Sequence, residues 1–130
     1  MVTGSEDEQA PNTKRADPAR SDLPARLESS LGRYALTDEE MADMIATGPR
    51  SVRAWITRSA PIGPPVLRII ELLDILDRAE RLFGAEGVRG WLYTEDPAFE
   101  GHFPAELIQR GDGRTVAGRV TRLENEDLAG

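Results

Sequence analysis

The chain has no cysteine and a single histidine, His102, so thiolate chemistry is absent and any imidazole-based proton transfer rests on one residue. His102 lies in an acidic stretch without a serine or a second ligand-type residue at a useful spacing. Such a histidine suits a surface or hydrogen-bonding role better than a catalytic one. The acids Asp38, Glu39 and Glu40, and the pair Glu95 and Asp96, do not have the spacing of a calcium loop. The first group is what a helix N-terminus favours, and the second reads as a solvated loop. The glycines form no phosphate-cradling motif. No catalytic group, metal site or cofactor is expected, and the chain reads as something other than an enzyme.

Arginine is the remaining chemistry. The chain carries fifteen arginines and one lysine, a bias that a GC-rich genome would also produce, and its net charge is −7. That charge is uneven. Residues 63–130 hold 13 acidic and 8 basic side chains, whereas 31–62 hold 4 of each. The 27 residues from Met44 to Ile70 contain no acid and four arginines, Arg50, Arg53, Arg58 and Arg68. A local basic patch in an acidic protein points to a polyanion, against the plainer reading of a solvated face.

The elements that position these groups read as helices throughout, and no alternating strand pattern is found. Residues 1–22 are rich in Pro, Asp, Glu, Ser and Arg and are expected to form a disordered tail. Asp22 and Pro24 start a first helix, with Leu23, Leu27 and Leu31 on one face and Gly32 at its end. Thr37 and Glu40 have the spacing of a capping box, and Leu36 and Met41 that of a hydrophobic staple. A helix from Asp38 then carries Met41, Ala42 and Ile45 inward until Thr47 and Gly48 break it. Pro49 opens a third helix with Val52, Trp55 and Ile56 facing in. Two short helices joined by a tight turn, the second basic outside, form a helix-turn-helix, which places Arg50, Ser51, Arg53, Thr57 and Arg58 as candidate DNA contacts.

After the stiff SAPIGPP turn comes a central helix, 64–83, apolar round most of its girth. A helix of that kind needs partners on several sides. The sequence offers the helix-turn-helix before it, the Trp91 unit after it and a second copy of the chain. A short helix over Gly87–Tyr93, an acidic loop over Thr94–His102, a helix from Pro104 and a last helix capped by Asp112 complete the chain. Trp91 reads as packing against the central helix and Phe99, in a polar loop, as an interface anchor. The fold class is therefore all-α. The units are a tail (1–22), a helix-turn-helix (23–63), the central helix (64–83) and a small helical C-terminal domain (84–130). No apolar run reaches 18 residues and the N-terminus has no basic start or apolar core, so neither a membrane span nor a secretory signal is expected, which fits a cytoplasmic protein.

In order, LTDEEMADMIATGPRSVRAW, a leucine-rich helix, GWLYTEDPAF and FPAELIQRGDGRTVAGRV resemble the Xre/MbcA/ParS class of bacterial antitoxins over about Leu31–Val120. The matching positions are Trp91 with Leu92, Asp96 and Pro97 with Phe99, Pro104 with Leu107, and Gly111 with Val116. The resemblance implies an antitoxin that inhibits a RES-domain, NAD-degrading toxin through its C-terminal domain, dimerises through the long-helix region and represses its own operon. It implies toxin contact at Trp91, Leu92, Pro97, Phe99, Pro104, Leu107, Leu123 and Leu128. The implied partners are the toxin, operator DNA and a second copy or a larger heteromeric complex. The tail RLENEDLAG departs from the family by being acidic. Two alternatives stay open: a DNA-binding repressor without a toxin partner, and an adaptor whose helix-turn-helix serves packing alone.

Overall fold

The computed structural model describes residues 22–58 and 63–129. The expected tail over 1–21 and most of the SAPIGPP turn (59–62) lie outside the described residues. Those residues form seven α-helices and one 3-10 turn, with no strand among them: α1 (Leu23–Arg33), α2 (Asp38–Ile45), α3 (Pro49–Thr57), α4 (Pro65–Phe83), α5 (Ala85–Leu92), the 3-10 turn Pro97–Phe99, α6 (Pro104–Gln109) and α7 (Gly113–Ala129). The all-α expectation holds. No described helix is long and apolar enough to cross a membrane.

Local signals placed most boundaries well. The Glu40 amide donates to Thr37 Oγ1 at 3.0 Å and the Thr37 amide donates to Glu40 Oε1 at 2.9 Å, so both halves of the capping box are made. Pro49 and Pro104 stand in first helical turns, where a missing N–H costs nothing. The expected start of α1 needs correction: Asp22 gives no side-chain cap, and the helix runs through Gly32 to Arg33. α2 stops at Ile45, two residues before Thr47, because Ala46 takes the left-handed conformation at φ 66°, a position that usually falls to glycine. α5 starts at Ala85, two residues earlier than expected, because Gly84 alone links it to α4. Gly84 has φ 78° and ψ 160°, a region essentially closed to side-chain-bearing residues.

α4 is the spine. Ile69, Leu72, Leu73, Ile75, Leu76 and Ala79 are all buried, and α1, α2, α5 and α7 pack against it. The first helix supplies a whole side of the cover through Leu23, Leu27 and Leu31. Leu72 and Ile75 are each 1% exposed within one chain, so burying this helix requires no second copy. The units expected as 23–63, 64–83 and 84–130 contribute to one continuous hydrophobic cluster running from Leu23 to Val120.

Polar contacts tie the same parts together. Arg68 Nη2 on α4 donates to the carbonyls of Met44 and Ile108, both at 2.9 Å; the first lies at the end of α2 where helix geometry leaves carbonyls without partners, and the second also accepts the Gly111 amide at 3.0 Å. Arg89 on α5 forks onto the Glu40 carboxylate with two bonds of 2.6 Å and reaches the Ala35 carbonyl at 2.7 Å. Glu40 thus closes both the cap of α2 and the link to α5. Arg33 and the Tyr34 hydroxyl, from α1 and its end, both bond Glu80 on α4.

Candidate functional site

Two surfaces deserve comparison, one on α3 and one on the C-terminal half. On α3, Arg50, Arg53, Thr57 and Arg58 are exposed and Ser51 is half-buried. Arg53, however, is forked onto Asp38 at 2.7 and 3.2 Å. The Thr57 hydroxyl donates back to the Arg53 carbonyl at 2.8 Å. The acid-free window was a property of the linear sequence: folding returns Asp38 to the face of α3 and turns Arg68 inward onto backbone carbonyls. Among the described residues, Arg50 and Arg58 are the exposed members of that window that enter no ion pair. Trp55 and Ile56, expected inside, are half-buried.

The C-terminal half carries a groove of about 600 Å³, lined by Phe83, Gly90, Trp91, Pro97, Arg119 and Leu123 among others. Its construction follows from three local facts. The one-residue Gly84 link folds α5 back on the end of α4, so the Phe83 and Trp91 rings stack with centroids 5.5 Å apart. Asp96, 9% exposed, accepts the Ala98 amide at 2.9 Å and the Arg119 Nε–H at 3.0 Å, which fixes the Pro97 loop against α7. Arg78 on α4 then grips α7 further along, donating to Glu124 at 2.6 and 3.1 Å and to Thr121 at 2.7 Å. The Arg78 fork holds the Glu124 carboxyl below its usual range. Beyond Glu124 the last turn of α7 is exposed, with Leu128 at 85%. His102 stays at the loop, with Nδ1 3.2 Å from Glu106 Oε1.

The eight residues expected at a partner surface divide into two sets. Trp91 and Leu123 are half-buried in the groove, Pro97 is exposed at its edge and Leu128 is exposed on the last turn. Leu92, Phe99, Pro104 and Leu107 are instead buried in the chain's own core. Phe99 in particular, read as an interface anchor, is 6% exposed and serves as a peg under its loop. Asp96 was read as a solvated acid and is instead the buried partner of Arg119. Phe83, Gly90 and Arg119 line the groove but were not expected at a partner surface, since their meeting depends on the packing of α4, α5 and α7. Two buried donors, Trp91 Nε1 and the Tyr93 hydroxyl, have no hydrogen-bond partner among the described residues. Burial, followed by the charge of Glu40, pushes the Tyr93 hydroxyl up to about 12.

Glycines inside α5 bear on the groove. A glycine in a helix costs about 0.5–1 kcal/mol relative to alanine, so one that persists needs a reason. Gly87 has one, because a Cβ there would stand 3.0 Å from Phe83 Cβ. Gly90 has none inside the chain: a Cβ would meet nothing within 4 Å.

The Glu40 hub gives the fold a pH signature. Hydrogen bonds from Arg89 chiefly, then from the Thr37 backbone, hold the Glu40 carboxyl at about 2 against an opposing effect of burial. Glu80 is likewise at about 2, through hydrogen bonds from Arg33 and then Tyr34. A carboxyl depressed by folding stabilises the fold above its unfolded value and loses that contribution as pH falls toward its folded value. The urea midpoint is therefore expected to fall steadily from about pH 5 to pH 2. In Glu40→Gln the midpoint is lower at pH 7 and falls less steeply, with the two curves converging in acid.

No family model matches the chain. Over 104 residues it is 27% identical to the mycobacterial cidal antitoxin MbcA of Mycobacterium bovis, and equally to MbcA of Mycobacterium tuberculosis. The alignments cover 78% of this chain and 90% of the relatives. Its fold matches a chain in the crystal structure of the M. tuberculosis MbcT–MbcA toxin–antitoxin complex with a TM-score of 0.68 at 23% identity, covering 80% of this chain and 95% of that one.

Proposed function

We propose that this chain, a homologue of the mycobacterial antitoxin MbcA, is itself an antitoxin that binds and inhibits a protein toxin of the RES class, the NAD-degrading class its motifs imply. The observation that carries the reading is the homology over most of both chains. The apolar groove and the exposed last turn on the C-terminal half support it further, because both leave apolar side chains uncovered. In this reading the groove residues Trp91, Pro97 and Leu123 and the last-turn residue Leu128 meet the toxin. Leu92, Phe99, Pro104 and Leu107 hold that surface in shape from beneath. The 84–130 unit is thus the toxin-binding part, and it works from a common core with 23–63.

Co-expression tests the proposal. The product of the adjacent toxin gene, induced alone, should arrest growth and deplete NAD, and induced together with this chain it should do neither. If that product is harmless, or stays toxic beside this chain, the reading fails.

Exposed Arg50 and Arg58 favour a second role on the same chain, repression of its own operon through α3. Binding to its own promoter is then salt-dependent, and Arg50→Ala and Arg58→Ala each lower the salt slope by about 1. Arg53→Ala lowers it less, because Arg53 is already neutralised by Asp38. Unchanged promoter binding in the Arg50 and Arg58 variants, measured by titration at several salt concentrations, would exclude DNA contact through α3.

A further inference from the structure

We infer that Gly90 keeps the groove open for one apolar side chain of the toxin, a leucine- or phenylalanine-sized residue set among lysines or arginines. The inference rests on the antitoxin reading and adds to it the chemistry of the occupant. Phe83 is 38% exposed although it stacks on Trp91, and Leu123 faces it from α7, so the groove has apolar walls that the chain leaves uncovered. Gly90 lines the groove with free space where a Cβ would be. The fold would gain helix stability from any larger residue there, and a side chain at that point would fill the space the walls enclose.

The rim selects the charge. Glu95 lines the groove and is exposed. Glu126 and Asp127 follow Leu123 by three and four residues, on the same face of α7, and both are exposed. Asp96 is already neutralised by Arg119, and Arg119 by it. The rim charge left to a partner is therefore negative. Glu126 and Asp127 also sit at the C-terminal end of α7, where the helix dipole disfavours them, so the isolated chain gains nothing from them there. An apolar anchor flanked by cations answers both features at once. Gly118 on α7 is equally unobstructed but borders a different, smaller hollow beside Phe99, which makes it a matched control.

The test titrates the adjacent gene's toxin into the full chain and into the variants Gly90→Leu, Gly90→Ala, Gly118→Leu and Glu95→Lys, with thermal melts alongside. Gly90→Leu should melt no lower than the parent and bind the toxin about 10- to 100-fold more weakly. Gly90→Ala should fall between, Gly118→Leu should bind as the parent does, and Glu95→Lys should bind more weakly by a margin that shrinks in high salt. If Gly90→Leu fails to fold, Gly90→Ala and Glu95→Lys carry the test. Toxin binding by the parent with undiminished binding by the Gly90 variants overturns the groove assignment and leaves the antitoxin reading standing. No binding by the parent overturns the antitoxin reading itself. Light scattering that shows the parent as a dimer and Gly90→Leu as a monomer, with equal toxin affinity, assigns the groove to a second copy and overturns the proposal.

Discussion

Leu76→Ala should destabilise the fold by about 3 kcal/mol and lower Tm by about 10 °C or more. Leu76 is fully buried on α4, the helix that α1, α2, α5 and α7 all cover. A cavity there has no flexible neighbour to collapse into it, because its surroundings are helix faces held at both ends. The chain offers a built-in readout of how far the damage spreads, since its two tryptophans stand in different halves, Trp55 on α3 and Trp91 on α5. In single-tryptophan backgrounds (Trp55→Phe or Trp91→Phe), unfolding followed from either half should give coincident midpoints, and Leu76→Ala should shift both together. A Trp55 transition that moves independently would mean that the helix pair before α4 is a separate folding unit.

Arg68→Met should cost about 2–3 kcal/mol, a large effect for a half-buried arginine that forms no ion pair among the described residues. Methionine keeps much of the aliphatic stem, so the loss reports the two hydrogen bonds rather than packing. With the guanidinium gone, the Met44 and Ile108 carbonyls at the ends of α2 and α6 lose a charged donor at 2.9 Å each. The Ile108 carbonyl keeps the Gly111 amide at 3.0 Å, but the Met44 carbonyl is left unpaired, which costs more than forming the bond gains, and that is why the effect exceeds that of a surface arginine. Denaturation of this variant beside Arg58→Met, on the exposed end of α3, separates the two roles: Arg58→Met should be within about 0.5 kcal/mol of the parent. Equal, small effects at both positions would return Arg68 to the solvent-facing patch that its sequence context suggests.

The contrast between those two arginines marks what could be read from residue order. Features carried by neighbours in sequence were legible: the Thr37–Glu40 capping box, the prolines that open α3 and α6, the periodicity of α4 and the helical class. Trp91 and Pro97, which resemble a known pattern, and Leu123, on one side of the last helix, line one groove. What was not legible depends on residues distant in sequence meeting in space. Asp38 neutralises Arg53 from fifteen residues away, so a window free of acid did not make a face free of acid. Phe99 and Asp96, in a loop of polar composition, looked solvated, yet the Asp96–Arg119 pair draws that loop onto α7. The groove itself has no linear signature, because its walls come from α4, α5, the Pro97 loop and α7.

The same packing changes how the two ends of the chain relate. Arg89 on α5 holds the cap of α2 through Glu40, and Arg68 joins α2 to α6. The groove and the exposed face of α3 therefore belong to one body with a shared core, so the contacts proposed at each would be made without a linker between two units. The most direct test of the account is amide hydrogen exchange on the full chain, free and bound to the adjacent gene's toxin. Slowed exchange on binding should be confined to α5, the Pro97–Phe99 turn and the second half of α7, with α3 unchanged. Protection centred on α3, or no change anywhere at saturating toxin, would contradict it.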